Sequence, residues 1–100
     1  MDLARVEGTV VSTAKTDRLH GHKLLVVNLL RPDKSPSGTE LVAVDSVGAG
    51  EGEIVLIVRG SSARQTDEMM SVPTDATIVA IVDSIVYRGE VTYDKQTENG

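Results

Sequence analysis

The chain has no cysteine, no tryptophan and no phenylalanine, and its only aromatic residues are Tyr87 and Tyr93. Without cysteine there is no disulfide framework, no thiolate zinc site and no cysteine nucleophile, which suits a reducing cytosol. The shortage of flat rings argues against a fold that holds single-stranded nucleic acid, because such proteins stack bases on aromatic faces. Long apolar runs are missing too. Nothing approaches the ~18 consecutive apolar residues of a membrane span, and Met1-Asp2-Leu3-Ala4-Arg5 lacks the basic start and apolar stretch of a signal peptide. Positive charge is in deficit, with 10 Lys and Arg against 15 Asp and Glu, so polyanions are poor partners for the molecule as a whole. The expectation is a soluble, cytoplasmic protein that binds neither nucleic acid nor membrane.

At 100 residues the chain has room for one domain around one hydrophobic core, read as residues 1–93, with 94–100 a flexible polar tail. Val contributes 15 residues and Ile 5. β-Branched side chains are stiff at χ1 and suit a pleated surface, so the fold is expected to be all-β. Residues 3–12 alternate apolar and polar with period 2, and Gly8 inside that run predicts a bulge or bend. Residues 23–30, 40–47, 54–60 and 77–87 supply four further strands, and 88–93 a turn and short extension. The segment 31–39, with Pro32, Pro36 and Gly38 among polar residues, reads as a surface loop. Ser61 or Ser62 can cap a short helix running to about Met70 that ends before Pro73.

Five strands with one short helix between the fourth and fifth predict a small OB-like β-barrel. A barrel interior takes only one face of each strand, yet strands two, four and five are apolar on both faces. At ~25 cal/mol per Å², leaving the second faces wet forfeits several kcal/mol of burial. Subunit association is the simplest remedy, and a ring would set two different patches of each chain against its neighbours.

Few constellations suggest chemistry. His20-Gly21-His22 puts two imidazoles on one side of an extended segment near Asp17, but zinc takes three or four protein ligands, and two solvated histidines is the simpler reading. Gly48-Ala49-Gly50-Glu51-Gly52-Glu53 looks like a phosphate loop only superficially, since Glu51 and Glu53 would repel the anion and a strand follows. A tight turn in which glycines allow close backbone approach explains it better. Gly60-Ser61-Ser62-Ala63-Arg64 has no histidine placed to activate a hydroxyl. Asp45, Asp75 and Asp83 are carboxylates with no spacing that pairs them. No cofactor, no metal and no catalytic residue are expected. Lys15, Arg18 and Lys23 form a local basic group where OB-folds often touch nucleic acid, which leaves an OB-type nucleic-acid or ligand-binding module as the alternative.

The segments 4–15, 19–30, 42–53, 60–64 and 75–83 together resemble the pentameric vertex proteins of bacterial microcompartment shells, known from carboxysomes and ethanolamine-utilising compartments. The stretches Ala4-Arg5-Val6-Glu7-Gly8-Thr9-Val10, Val42-Ala43-Val44-Asp45-Ser46-Val47-Gly48 and Gly60-Ser61-Ser62-Ala63-Arg64 carry the likeness by their order and spacing, and only the tail after Tyr87 lies outside it. The resemblance implies an OB-like barrel that assembles as a homopentamer, caps the five-fold vertices of a shell beside hexameric shell proteins, and is not an enzyme. It further implies that Ser46, Val47, Gly48, Ala49 and Gly50 form a turn at the five-fold axis. The apolar second faces would then be subunit interfaces, assigned to Leu25, Val27, Leu29, Val55, Ile57, Val79, Ile81 and Ile85.

Overall fold

The computed structural model describes residues 1–11, 22–60 and 76–98. Its elements are β1 (Asp2–Val10), β2 (Lys23–Leu30), β3 (Pro36–Asp45), β4 (Ile54–Arg59), β5 (Ala76–Ile81), β6 (Ser84–Tyr87), β7 (Glu90–Asp94) and α1 (Lys95–Glu98). The first five strands close into a barrel in the order β1-β2-β3-β5-β4, and β6 and β7 form a separate hairpin. All barrel pairs are antiparallel except β3 with β5, where Val44 meets Thr77 and Asp45 meets Ile78. The barrel is thus the OB-like, all-β fold expected from the strand pattern. The expected helix between the fourth and fifth strands lies outside the described residues.

Gly8 marks the predicted irregularity, since the β1–β2 register shifts between Val6 and Gly8. An extra residue there lets β1 bend around the small barrel. The interior is filled by Ala4 and Val6 of β1, Leu25, Val27 and Leu29 of β2, Ala43 of β3, Val55 and Ile57 of β4, and Ala76 and Ile78 of β5, with Ala49 from the turn after β3. Alanines set among larger aliphatic side chains suit a closed barrel of few strands, where opposite walls compete for the same volume.

Several sequence boundaries move, among them the ends of the first and third strands, which stop at Val10 and Asp45 rather than at 12 and 47. β3 begins at Pro36, whereas 36–39 was read as loop; Pro36 pairs with Leu30, and a proline is tolerated as the first residue of an exposed strand end. The fifth strand stops at Ile81, and Ser84 starts a second sheet, because Val82 N–H turns to Ile54 O at 2.8 Å. Residues 94–98, read as the start of a flexible tail, carry regular structure: Asp94 ends β7 and 95–98 make one helical turn. Arg88 and Gly89 both have positive φ, as a two-residue type I′ hairpin loop requires.

Candidate functional site

Asp45 ends β3 with its side chain turned back over the segment that follows. Oδ1 accepts the backbone N–H groups of Val47 and Gly48 at 3.0 and 3.2 Å, and Oδ2 accepts that of Ala49 at 2.9 Å. A buried carboxylate that takes three backbone donors is satisfied without water and fixes the local path of the chain. Gly48 sits at φ 81°, a conformation that any Cβ disfavours, so the turn depends on glycine there. Ser46 Oγ donates to Ile78 O at 2.8 Å and prolongs the short parallel β3–β5 ladder. Lys23 Nζ donates to Ala49 O at 2.9 Å and stands 3.9 Å from Asp45 Oδ2.

The far side of the turn is tied to β1 and to the C-terminal segment. Gly50 N–H donates to Glu53 Oε1 at 2.6 Å, and Lys95 Nζ reaches Glu53 Oε2 at 2.7 Å. Lys95 holds the Glu53 carboxyl below its ordinary value, with the Gly50 N–H acting in the same direction. Glu53 in turn raises Lys95. Arg5 Nη1 donates to Gly52 O at 2.7 Å, Arg5 Nη2 lies 3.4 Å from Glu98 Oε1, and the guanidinium sits over Tyr93. Glu98 also pairs with Lys34, which is the main cause of its lowered pKa, with Arg5 adding to it. A C-terminal strap therefore fastens the glycine turn to β1 and to the loop at Lys34.

Of the five residues assigned to the axial turn, two face outward. Val47 is 38% exposed and Gly48 is exposed, while Ala49 is fully buried in the barrel core. The Ala49 side chain therefore points into the barrel core. The interface assignment needs a larger correction. Leu25, Val27, Leu29, Val55 and Ile57 are buried inside the barrel of a single chain, and Ile81 packs against that core. A side chain already removed from solvent loses no further surface on association, so the first five line the interior, while Ile81 is half-buried at its edge. The outward rows are the alternate residues: Leu24 and Val26 on β2, Val42 on β3, Leu56 and Val58 on β4, all half-buried or exposed. Val79 and Ile85 are half-buried.

Asp45, considered as a base, spends its oxygens on the turn. Lys23, one of the three basic residues of the alternative binding loop, is engaged with Ala49 and Asp45; Lys15 and Arg18 lie outside the described residues. So do Asp17, His20, Asp75 and the 61–64 segment. Among the described residues no group of three or more His, Cys, Asp or Glu side chains is placed to hold a metal ion. The pattern Asp45-Ser46-Val47-Gly48 carries an Asx-turn signal that could have identified the Asp45 clamp. No local spacing foretells the link of Lys95 to Glu53, or of Glu98 to Arg5 and Lys34.

The fold and this turn define a closed OB-like barrel with a glycine turn after β3 that Asp45, Lys23 and Glu53 hold by hydrogen bonds. Residues 1–83 match the family described as ethanolamine utilisation protein EutN/carboxysome, and the chain belongs to that family. It is 43% identical over 95 residues to the bacterial microcompartment shell vertex protein EutN of Escherichia coli, covering 95% of this chain and all of that one. It is 51% identical over 85 residues to the shell vertex protein GrpN of Rhodospirillum rubrum, covering 85% of this chain and 96% of GrpN. The solved structure of CcmL from Gloeobacter violaceus superposes with a TM-score of 0.88 at 38% identity, covering 96% of this chain and 99% of that one. The GrpN structure, described as a pentameric microcompartment shell protein, superposes with a TM-score of 0.78 at 49% identity over 87% of this chain and 99% of GrpN.

Proposed function

We infer that this chain is a structural shell protein that forms a homopentamer and caps the five-fold vertices of a bacterial microcompartment. The observation that carries the reading is near-complete coverage of vertex proteins at 43% identity or more, together with the pentameric state of GrpN. Geometry supplies the reason for such a part. A sheet of six-fold tiles cannot close into a polyhedron without five-fold units at its corners, so hexameric shell proteins are the natural neighbours. The role is structural rather than catalytic, as befits a site whose polar groups are spent on holding a turn.

Burial supports a revised interface. Each barrel carries one outward apolar row on β2 and β3, with Leu24, Val26 and Val42, and another on β4 and β5, with Leu56, Val58 and Ala80, and Val79 lies beside it at the register shift. Two different patches per copy are what a closed ring needs. Val47 and Gly48 are the residues that would face the five-fold axis, with Asp45 and the Glu53–Lys95 pair keeping five copies of the turn in register. Co-expression with hexameric shell proteins tests the role: closed polyhedral shells are expected only when this chain is present, and equal closure without it would overturn the reading.

A further inference from the structure

We propose that the outward face of the β6–β7 hairpin is a docking arm that closes on the β3 face of the adjacent copy in the pentamer, an inference that rests on the pentameric reading above. Val86 and Val91 are directly paired across the hairpin and are 68% and 63% exposed. Two β-branched side chains side by side on one face form a small apolar ridge. The opposite face is already used. Tyr93 is 3% exposed, Arg5 lies against its ring, and Thr92 Oγ1 donates to Pro32 O at 2.9 Å. The ridge is thus open to a second molecule. The loop at Arg88 and Gly89 fixes the hairpin twist in advance, so docking orders little new backbone.

The receiving face is chosen by exposure and charge. Val42 is 46% exposed and pairs across the sheet with Val26. Glu40, two residues before it on the same face, pairs with Asn28 and is exposed. The arm thus presents two valines beside Arg88, which lies over the Tyr87 ring, with Glu90 on the same hairpin, and β3 presents a valine pair beside the anion Glu40, which Arg88 would meet. β6 follows β5 after only Val82 and Asp83, so the arm continues from the β4–β5 ladder, the patch a ring sets against the β2–β3 patch of its neighbour. The family match spans the barrel, residues 1–83, and the likeness to EutN runs over 95 residues and so takes in the arm. The arm adds its contact to those of the barrel faces.

The test uses the full chain and native mass spectrometry over a dilution series, with circular dichroism to verify the barrel. Val86→Ser with Val91→Ser is expected to leave a pentamer that dissociates at about ten-fold higher protein concentration than the parent. Arg88→Glu is expected to weaken the ring likewise, and adding Glu40→Arg to the same chain to restore it. Should the valine variant fail to fold, the surface charge pair decides alone. Dissociation at the parent's concentration in these variants, or no rescue by Glu40→Arg, overturns the proposal. A parent chain that is not pentameric at any concentration overturns the underlying reading instead, and is seen before any variant is compared.

Discussion

Asp45 Oδ2 accepts the backbone N–H of Ala49 at 2.9 Å, so a carboxylate at the end of β3 holds the position four residues further on. With Oδ1 bound to Val47 and Gly48, the same side chain satisfies three consecutive donors. Asp45→Ala strands these groups beside the core, at a cost of roughly 1–3 kcal/mol. Thermal unfolding is expected to shift downward by about 4–8 °C per kcal/mol for a chain of this size. Asp45→Asn, which keeps the shape but only one acceptor oxygen, should lie between. Unchanged melting in both would show that the clamp does not hold the turn.

Gly48 separates backbone strain from crowding at the axis. Its φ of 81° penalises a branched residue, yet among the described residues other than its two chain neighbours no atom lies within 4 Å of where a Cβ would stand. Gly48→Val is expected to destabilise the fold by roughly 1–2 kcal/mol through the backbone alone. Gly48→Asn tolerates the left-handed conformation and so isolates bulk. If Val47 and Gly48 crowd around a five-fold axis, the Asn variant keeps its barrel signal by circular dichroism and loses pentamer on a sizing column. Full assembly of Gly48→Asn would place the turn away from the axis.

The Glu53–Lys95 pair gives a pH signature. Glu53 is lowered from 4.5, chiefly by Lys95 and then by the Gly50 N–H. Its contribution is present above pH 4.5 and is lost as pH falls through the lowered value. Lys95 is raised from 10.5, chiefly by Glu53, so its contribution is present below pH 10.5 and is lost as pH rises through the raised value. In urea titrations the midpoint difference between the parent and Lys95→Gln should be steady at intermediate pH and shrink at both extremes. Both groups are partly solvated, so added salt should reduce it. A difference that is the same at every pH would contradict the linkage.

Inner and outer rows of the barrel should respond differently to truncation. Ile57 is fully buried, and Ile57→Ala removes interior volume at ~2–5 kcal/mol. Val42→Ser changes an exposed position and should leave the isolated barrel folded while raising the concentration at which subunits separate. Circular dichroism and sizing together read the two effects. Loss of fold in Val42→Ser, or loss of assembly alone in Ile57→Ala, would reverse the face assignment.

That assignment marks where sequence reasoning ran out. β2 was legible to the residue, and so was the irregularity at Gly8, because the period-2 pattern and a glycine within it have direct backbone meaning. The inward face of β2 was not legible in the same way. Leu24-Leu25-Val26-Val27 is apolar on both faces, and alternation has no sign when both rows are hydrophobic. The discriminating residue was Asn28, whose polar side chain belongs to the outward row with Leu24 and Val26 and so turns Leu25, Val27 and Leu29 inward. The break after Ile81 and the strap from Lys95 to Glu98 depend on contacts between residues far apart in sequence, which local patterns do not encode.

The most direct test of the account is the solution mass of the intact protein by native mass spectrometry. A species of five times the 10.6 kDa chain that survives dilution is expected. A monomer, or any stable stoichiometry other than five, would contradict the vertex role at its root.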